Sequence, residues 1–242
     1  MDLKIYLVWS AASFAAYFVK GLAGFGNTPV HTGLMAFFRT NAELTPVDYI
    51  LTLPANTAIL CRYRKHLRRE MWLPGALVTM AAVVPGAIIL KEMNSGVLKV
   101  IFGFVILLAG ADMLRSRSDS RPAPGRAVRL ALTALSGLVS GMIGIGLLLA
   151  AVMGRTVRDS RELKANLTAV FVADNIGRGI MYGVTGLLTL RSAQTALCLV
   201  PAMGLGLFAG VKSAGKFSEK TVRRCTAAVL MACGVLLAAG NI

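Results

Sequence analysis

The sequence predicts an all-α integral membrane protein made of two inverted repeats, each a broken-helix hairpin followed by three transmembrane helices. Three observations predict it: a composition too apolar for water, a glycine-rich bend that recurs half a chain later, and basic residues gathered in alternate connections. Of the 242 residues, 56% are Ala, Val, Ile, Leu, Met, Phe, Trp, Tyr or Cys, and 25 glycines raise the apolar share to about two-thirds. Soluble domains hold about 45–50% on that count. Charged residues are only 15%, and mean hydropathy is +0.68, so a water-facing surface cannot be built from this inventory.

The apolar segments run approximately over 3–19, 28–38, 47–60, 72–90, 97–114, 127–140, 142–153, 165–187, 193–211 and 221–239. The first reads as a retained helix and not a signal peptide, because Asp2 weakens the basic start and many equally apolar segments follow. A spanning helix takes about 20 residues. Segments 28–38 and 142–153 are too short to cross alone, and each follows a bend of the form GxxGxG: Gly21-Leu-Ala-Gly24-Phe-Gly26 and Gly141-Met-Ile-Gly144-Ile-Gly146. The bends lie 120 residues apart, Asn56 and Asn175 lie 119 apart, and Gly110 and Gly234 lie 124 apart. This ordered series indicates an internal repeat. The one long polar stretch, rich in Ser, Pro and Arg at 115–126, is the linker between a first repeat at 1–114 and a second at 127–242.

Charge distribution then sets the topology. With each helix–bend–helix unit read as a hairpin that returns to its starting side, the connections 62–69, 115–129, 155–164 and 212–224 share one face and carry nineteen Lys and Arg. The opposite face carries five: Lys4, Arg39, Lys91, Lys99 and Arg191. Units that crossed once would split the same charges evenly and erase the positive-inside asymmetry. Each repeat therefore crosses an odd number of times, the second lies upside down relative to the first, and both termini are expected on the periplasmic side.

The same count explains the net charge of +15 as lipid-facing and cytoplasmic loops, with no call for nucleic acid. No HExxH, GxSxG or paired-carboxylate motif is present, and Cys61, Cys198, Cys225 and Cys233 show no paired spacing. The cysteines read as packing residues. Neither an enzyme nor a cofactor or metal site is indicated.

Breaking a helix inside lipid leaves backbone groups that protein, water or ligand must satisfy. Asn27-Thr28-Pro29 is a helix start signal, so Gly24, Phe25, Gly26, Asn27 and Thr28 place a helix N-terminus inside the bilayer, where it attracts an anion. Once the loop charges are assigned, only Lys20 and Arg178 remain in apolar surroundings. Charges so placed face a cavity or a partner. Asp174 reads as the sole acidic residue at comparable depth, four residues before Arg178 on the same helix face; an ion pair between them and a substrate role both stand. Lys20, without such a partner nearby, reads as a substrate ligand or as a snorkelling end. Asn56 and Asn175 read as hydrogen-bonding either the broken backbone or a substrate. His31 reads as packed or as a proton carrier.

Residues 21–29 (GLAGFGNTP), the helix with Leu53-Pro-Ala-Asn-Thr-Ala, the basic stretch before Trp72, the Pro85-Gly86-Ala helix and Gly141-Met-Ile-Gly-Ile-Gly resemble the sulfite exporter TauE/SafE family, also called toluene sulfonate uptake permeases. The resemblance spans nearly the whole chain. It implies a secondary carrier of sulfite, sulfonates and related small organic anions in the bacterial inner membrane, with the bends at Gly21 to Asn27 and Gly141 to Gly146, Gly144 included, around the substrate. The second half departs from the first: Lys20, Asn27, Pro29 and His31 map onto Ser140, Leu147, Leu149 and Ala151. The first bend is therefore expected to supply most polar contacts, with Asp174, Asn175 and Arg178 adding to them. Asp174 and His31 are the candidates for proton coupling. A channel, or a carrier of small carboxylates, is the nearest rival, since half-helix hairpins also build pores.

Overall fold

In the computed structural model, which describes residues 3–35, 38–92, 95–115, 125–144, 146–157 and 159–239, each apolar segment becomes one α-helix. They are α1 (Leu3–Ala23), α2 (Asn27–Met35), α3 (Asn41–Tyr63), α4 (Arg69–Glu92), α5 (Ser95–Arg115), α6 (Arg126–Ile143), α7 (Leu147–Gly154), α8 (Ser160–Val184), α9 (Leu190–Ser213) and α10 (Glu219–Ala239). A single 3-10 turn, Arg64–His66, joins α3 to α4. Polar caps mark several starts: the Glu43 side chain accepts from Thr40 N, Asp159 accepts from Arg161 N and Glu162 N, and Thr189 accepts from Ser192 N. Most of the linker at 115–126 lies outside the described residues.

The outside of the bundle is apolar, unlike that of a soluble domain, and an apolar core shares the inside with a set of buried polar residues. On α8, Ile176, Ile180 and Val184 point outward, while Asp174, Asn175, Arg178 and Tyr182 are buried. Phe104 and Leu108 on α5, and Leu197, Leu205 and Phe208 on α9, add to the exposed apolar surface. Such a surface fits lipid. Among the described residues, α1, residues 69–90 of α4, and α9 are long and apolar enough to cross a bilayer. At about 1.5 Å per residue, α3, α8 and α10 also have the length, and the polar residues in their middles, such as Asp48, Thr52 and Asn56 on α3, Asp174 and Arg178 on α8 and Thr226 on α10, are buried. Of the four cysteines only Cys233 is buried, beside Gly33; Cys61, Cys198 and Cys225 are exposed, so they do not pack the core as expected.

Contacts along the helices give their directions. Arg39 stacks over Trp9, Tyr17 OH meets Thr52 Oγ1 at 3.0 Å, and Lys164 reaches both Leu22 O and the Tyr63 ring. Starts, middles and ends of α1 and α3 therefore coincide, and the two run in the same direction. Between them α2 returns along α1: Asn27 sits at Lys20, and His31 at Trp9 and Ser13. The second half repeats this. Gly137 and Gly141 on α6 meet Thr79 and Val83 on α4, and Val170 and Gly177 on α8 meet Gly75 and Met80, so α6 and α8 are both parallel to α4. In turn α7 doubles back on α6, with Leu149 N donating to Ser136 Oγ at 3.1 Å.

Two close seams hold the hairpins. On α1, the carbonyls of Phe14 and Phe18 lie against Gly206 and Gly210 of α9; on α6, Leu138 O and Gly141 lie against Gly86 of α4. Small residues permit such backbone approach. The first glycine of each GxxGxG motif belongs here. Gly21 and Gly141 sit inside α1 and α6 as packing residues, and the reversals are made by Gly24 (φ 90°), Gly26 (φ 91°) and Gly144 (φ 75°), where a side chain would strain the backbone. Gly110 and Gly234 face each other's helices where α5 and α10 cross, and α8 runs against α3, with Gly179 at Tyr49 and Asn166 at Arg68.

Candidate functional site

Both bends open onto one cavity near the middle of the bundle. Its wall contains Lys20 of α1; Phe25, Gly26, Asn27, Thr28 and Pro29 at the start of α2; Thr52 and Asn56 of α3; Ser140, Gly144 and Gly146 of the second bend; and Phe171, Asp174 and Arg178 of α8. Of the residues singled out from sequence, Lys20, Phe25, Gly26, Asn27, Thr28, Asn56, Gly144, Gly146, Asp174 and Arg178 thus come together. Gly24, His31 and Asn175 stand outside the wall. The space in which a water molecule could be centred is about 20 Å³, enough for roughly one water.

The first-half side of the cavity is a connected polar network. Lys20 Nζ donates to Asn27 Oδ1 at 2.8 Å, and Asn27 Nδ2 donates to Thr52 Oγ1 at 2.9 Å and to Asp48 Oδ1 at 3.4 Å. Thr28 Oγ1 donates to Asp48 Oδ2, and Tyr17 completes the group through Thr52. Asp48 is 1% exposed. The expectation that Asp174 is the only deep carboxylate is therefore corrected, as is the expectation that Lys20 lacks a partner. The start of α3, with Glu43, Thr45 and Pro46, looks like a loop edge in sequence. Asp48, Thr52 and Asn56, spaced i, i+4, i+8, form one polar stripe on α3, and that period is the signal that would have found Asp48.

His31 lies behind this network. Its Nδ1 faces Asp48 Oδ1 at 3.3 Å, while Nε2 accepts from Trp9 Nε1 at 2.8 Å. The indole N–H is only a donor, so the imidazole proton sits on Nδ1.

The second-half side is an ion pair. Arg178 Nε lies 3.2 Å from Asp174 Oδ2, which also accepts from Ser140 Oγ at 2.7 Å, and Arg178 Nη2 donates to Asn175 Oδ1 at 2.5 Å. Asn56 and Asn175 therefore do different things despite their matching positions. Asn175 orients Arg178, whereas both amide atoms of Asn56 are buried without a partner among the described residues. Gly144 is glycine for a second reason: a methyl there would meet the Arg178 guanidinium. Tyr182 OH donates to Gly141 O at 2.9 Å and ties α8 to the end of α6.

Lys164, counted in sequence among the loop charges, is 6% exposed. Its Nζ donates to Leu22 O at 2.6 Å, at the C-terminal end of α1, where a cation opposes the helix dipole. Its stem fills the space beside Gly24, 2.9 Å from where a Cβ would stand. Burial of Lys164 was hidden by its neighbours Arg155 and Arg161, which sit in the same basic stretch.

The arrangement suits an anion: a lysine, an arginine and a helix N-terminus converge in a water-poor interior where their fields are little screened. No curated protein and no solved structure matches the chain. The family model for the sulfite exporter TauE/SafE matches residues 9–237. The chain belongs to that family of membrane transporters.

Proposed function

We propose that the protein is a secondary transporter of a small organosulfur anion such as sulfite or a sulfonate, and that the anion binds between the two bends. The observation that carries this reading is the convergence on one cavity of the Lys20 ammonium, the Arg178 guanidinium, the start of α2 and the unpartnered Asn56 amide. An unpartnered amide, and two cations beside the one carboxylate of the wall, are costly in a bilayer interior without a ligand. Gly24 and His31 hold the first bend in place, and Asn175 orients Arg178. Asp174 at the cavity wall and His31 behind it, beside Asp48, remain the two candidates for proton coupling.

Two inverted repeats, 1–114 and 127–242 about the linker 115–126, supply the moving parts. The packing supports this, since its main pairings recur when α1–α5 are exchanged for α6–α10: α1 lies on α9 as α6 lies on α4, α3 on α9 as α8 on α4, and α2 on α10 as α7 on α5. The self-paired contacts, α3 with α8 and α5 with α10, are antiparallel. That is the pattern of an axis in the membrane plane. An anion larger than water enters when the repeats part on one side. In the bacterial inner membrane the basic connections face the cytoplasm and both termini the periplasm. Impermeant labelling of Ala42→Cys and Ser120→Cys in intact cells tests this: reaction at 42 is expected, and reaction at 120 overturns the topology.

The function is tested by a thermal-shift series with sulfite, sulfate, thiosulfate, sulfoacetate, taurine and short carboxylates. A ligand at a hundred times its Kd stabilises by about 2.7 kcal/mol. Stabilisation by sulfite or a sulfonate, with saturable counterflow in proteoliposomes, is the expected result. Carboxylates alone shifting the melt would replace the substrate, and sustained unitary currents would make the protein a channel.

A further inference from the structure

Resting on the transport reading above, we propose that the site takes a singly charged oxyanion that still carries a hydrogen-bond donor, hydrogensulfite and not the sulfite dianion, and that Asn56 reads the donor. Two independent observations lead there. One is charge. Among the described residues the charged side chains of the cavity wall are Lys20 and Arg178 against Asp174, one net positive charge while Asp174 is ionised. One monoanion neutralises that interior. A dianion would leave a surplus negative charge in a medium that solvates it poorly.

The other is the amide. Asn56 is 0% exposed and forms part of the cavity wall, and neither its Nδ2 nor its Oδ1 has a partner among the described residues. An amide nitrogen donates and an amide oxygen accepts. A fully deprotonated oxyanion offers acceptors only, which suits Nδ2 and leaves Oδ1 buried and unpaired. An oxyanion that retains an O–H satisfies both. The remaining oxygens face Lys20, Arg178 and the start of α2, which are all donors. Specificity of this kind is strong because the wrong ligand strands a buried polar atom.

Counterflow of labelled sulfite in proteoliposomes tests the proposal, with the same pH inside and outside, from mildly acidic to mildly alkaline. The apparent KM for total sulfite is expected to rise about tenfold per pH unit above the second ionisation of sulfurous acid, and to stay flat when expressed as hydrogensulfite. Methanesulfonate has the same charge and no donor, and is expected to compete roughly ten- to a hundredfold more weakly. In Asn56→Leu that preference collapses. Asn56→Ser, which keeps a donor and an acceptor, retains it and serves if the leucine variant does not fold. A KM that falls as pH rises identifies the dianion and overturns the proposal while leaving transport intact. A preference that survives in Asn56→Leu, or vanishes in Asn56→Ser, removes Asn56 from the role. Absence of any sulfite or sulfonate counterflow in the wild-type protein overturns the transport reading, and this proposal with it.

Discussion

Lys20→Met separates the anion site from the scaffold that holds it. The substitution keeps the stem and removes the ammonium that donates to Asn27 Oδ1 at 2.8 Å and lies 5.7 Å from the Phe171 ring centre. An anion about 4 Å from that charge, at an effective dielectric of about 20, gains about 4 kcal/mol from it. Half of that, about 2 kcal/mol, is already a roughly thirtyfold loss of affinity. Stability also falls, because Asn27 Oδ1 loses its donor and Asp48 loses a nearby cation; a stranded acceptor costs about 1–3 kcal/mol. Adding Asp48→Asn addresses the charge part of the second effect and not the first. The new amide oxygen can still accept from Thr28, and the double substitution restores the net buried charge. Thermal unfolding of the wild-type protein, both single variants and the double variant, with and without saturating sulfite, forms a cycle. The double variant should show no sulfite shift, whatever part of the stability the restored charge balance returns. A wild-type shift in Lys20→Met would remove Lys20 from the site. A shift regained in the double variant would show that net charge, and not the ammonium at this position, holds the anion.

The glycines of the bends separate by job. Gly24→Ala places a methyl at φ 90° and against Lys164 Cγ, costing about 1–2 kcal/mol of backbone strain, so unfolding should move with sulfite response preserved in what remains folded. Gly146 has φ −95°, which any residue adopts, but a methyl would meet the Phe171 ring in the cavity wall; Gly146→Ala should keep most stability and lose the sulfite shift. Gly21→Ala and Gly141→Ala push against the backbone of α9 and α4, an overpacking cost of about 1–3 kcal/mol offset by about 1 kcal/mol of helix propensity. Matching destabilisation in the two, read by thermal unfolding, is expected of equivalent seams, and a large loss in only one would count against the repeat.

How far the sequence was readable depends on what burial means in a bilayer. Ten apolar segments became ten helices because hydrophobic length is a direct constraint in lipid, and helix ends moved by only a few residues, as where α3 begins at Asn41 instead of 47. Lys20 and Arg178 stood out because no loop accounted for them. Asp48 did not, because it stands at the edge of segment 47–60 beside Glu43, Thr45 and Pro46, and Lys164 did not, because it ends the basic connection 155–164. Tyr17, Thr52 and Ser140 are unremarkable residues in a membrane helix until a tertiary contact gives them a partner. The missed information was periodic: Ser13, Tyr17 and Lys20 on α1, Asp48, Thr52 and Asn56 on α3, and Asp174, Arg178 and Tyr182 on α8 each form an inward stripe. Depth was inferred from segment ends, whereas facing was encoded in the i, i+4 spacing.

In the inverted-repeat reading, symmetry governs the backbone and stops at the site. The seams, the antiparallel crossings and the returning short helices all have counterparts, because a rocking motion needs equivalent closures on both sides of the membrane. The chemistry is divided instead. Lys20 and Asn27 have Ser140 and Leu147 in the offset positions, and Ser140 donates to Asp174 where a second lysine would have stood. The α7 start is partly capped from within, by Ser136 on Leu149 N, while the start of α2 forms part of the cavity wall. A symmetric site would have doubled the ammonium and the open helix end around a single cavity, raising the buried positive charge beyond what one monoanion neutralises. On this reading, asymmetry of side chains on a symmetric scaffold would let two equivalent gates serve one singly charged ligand.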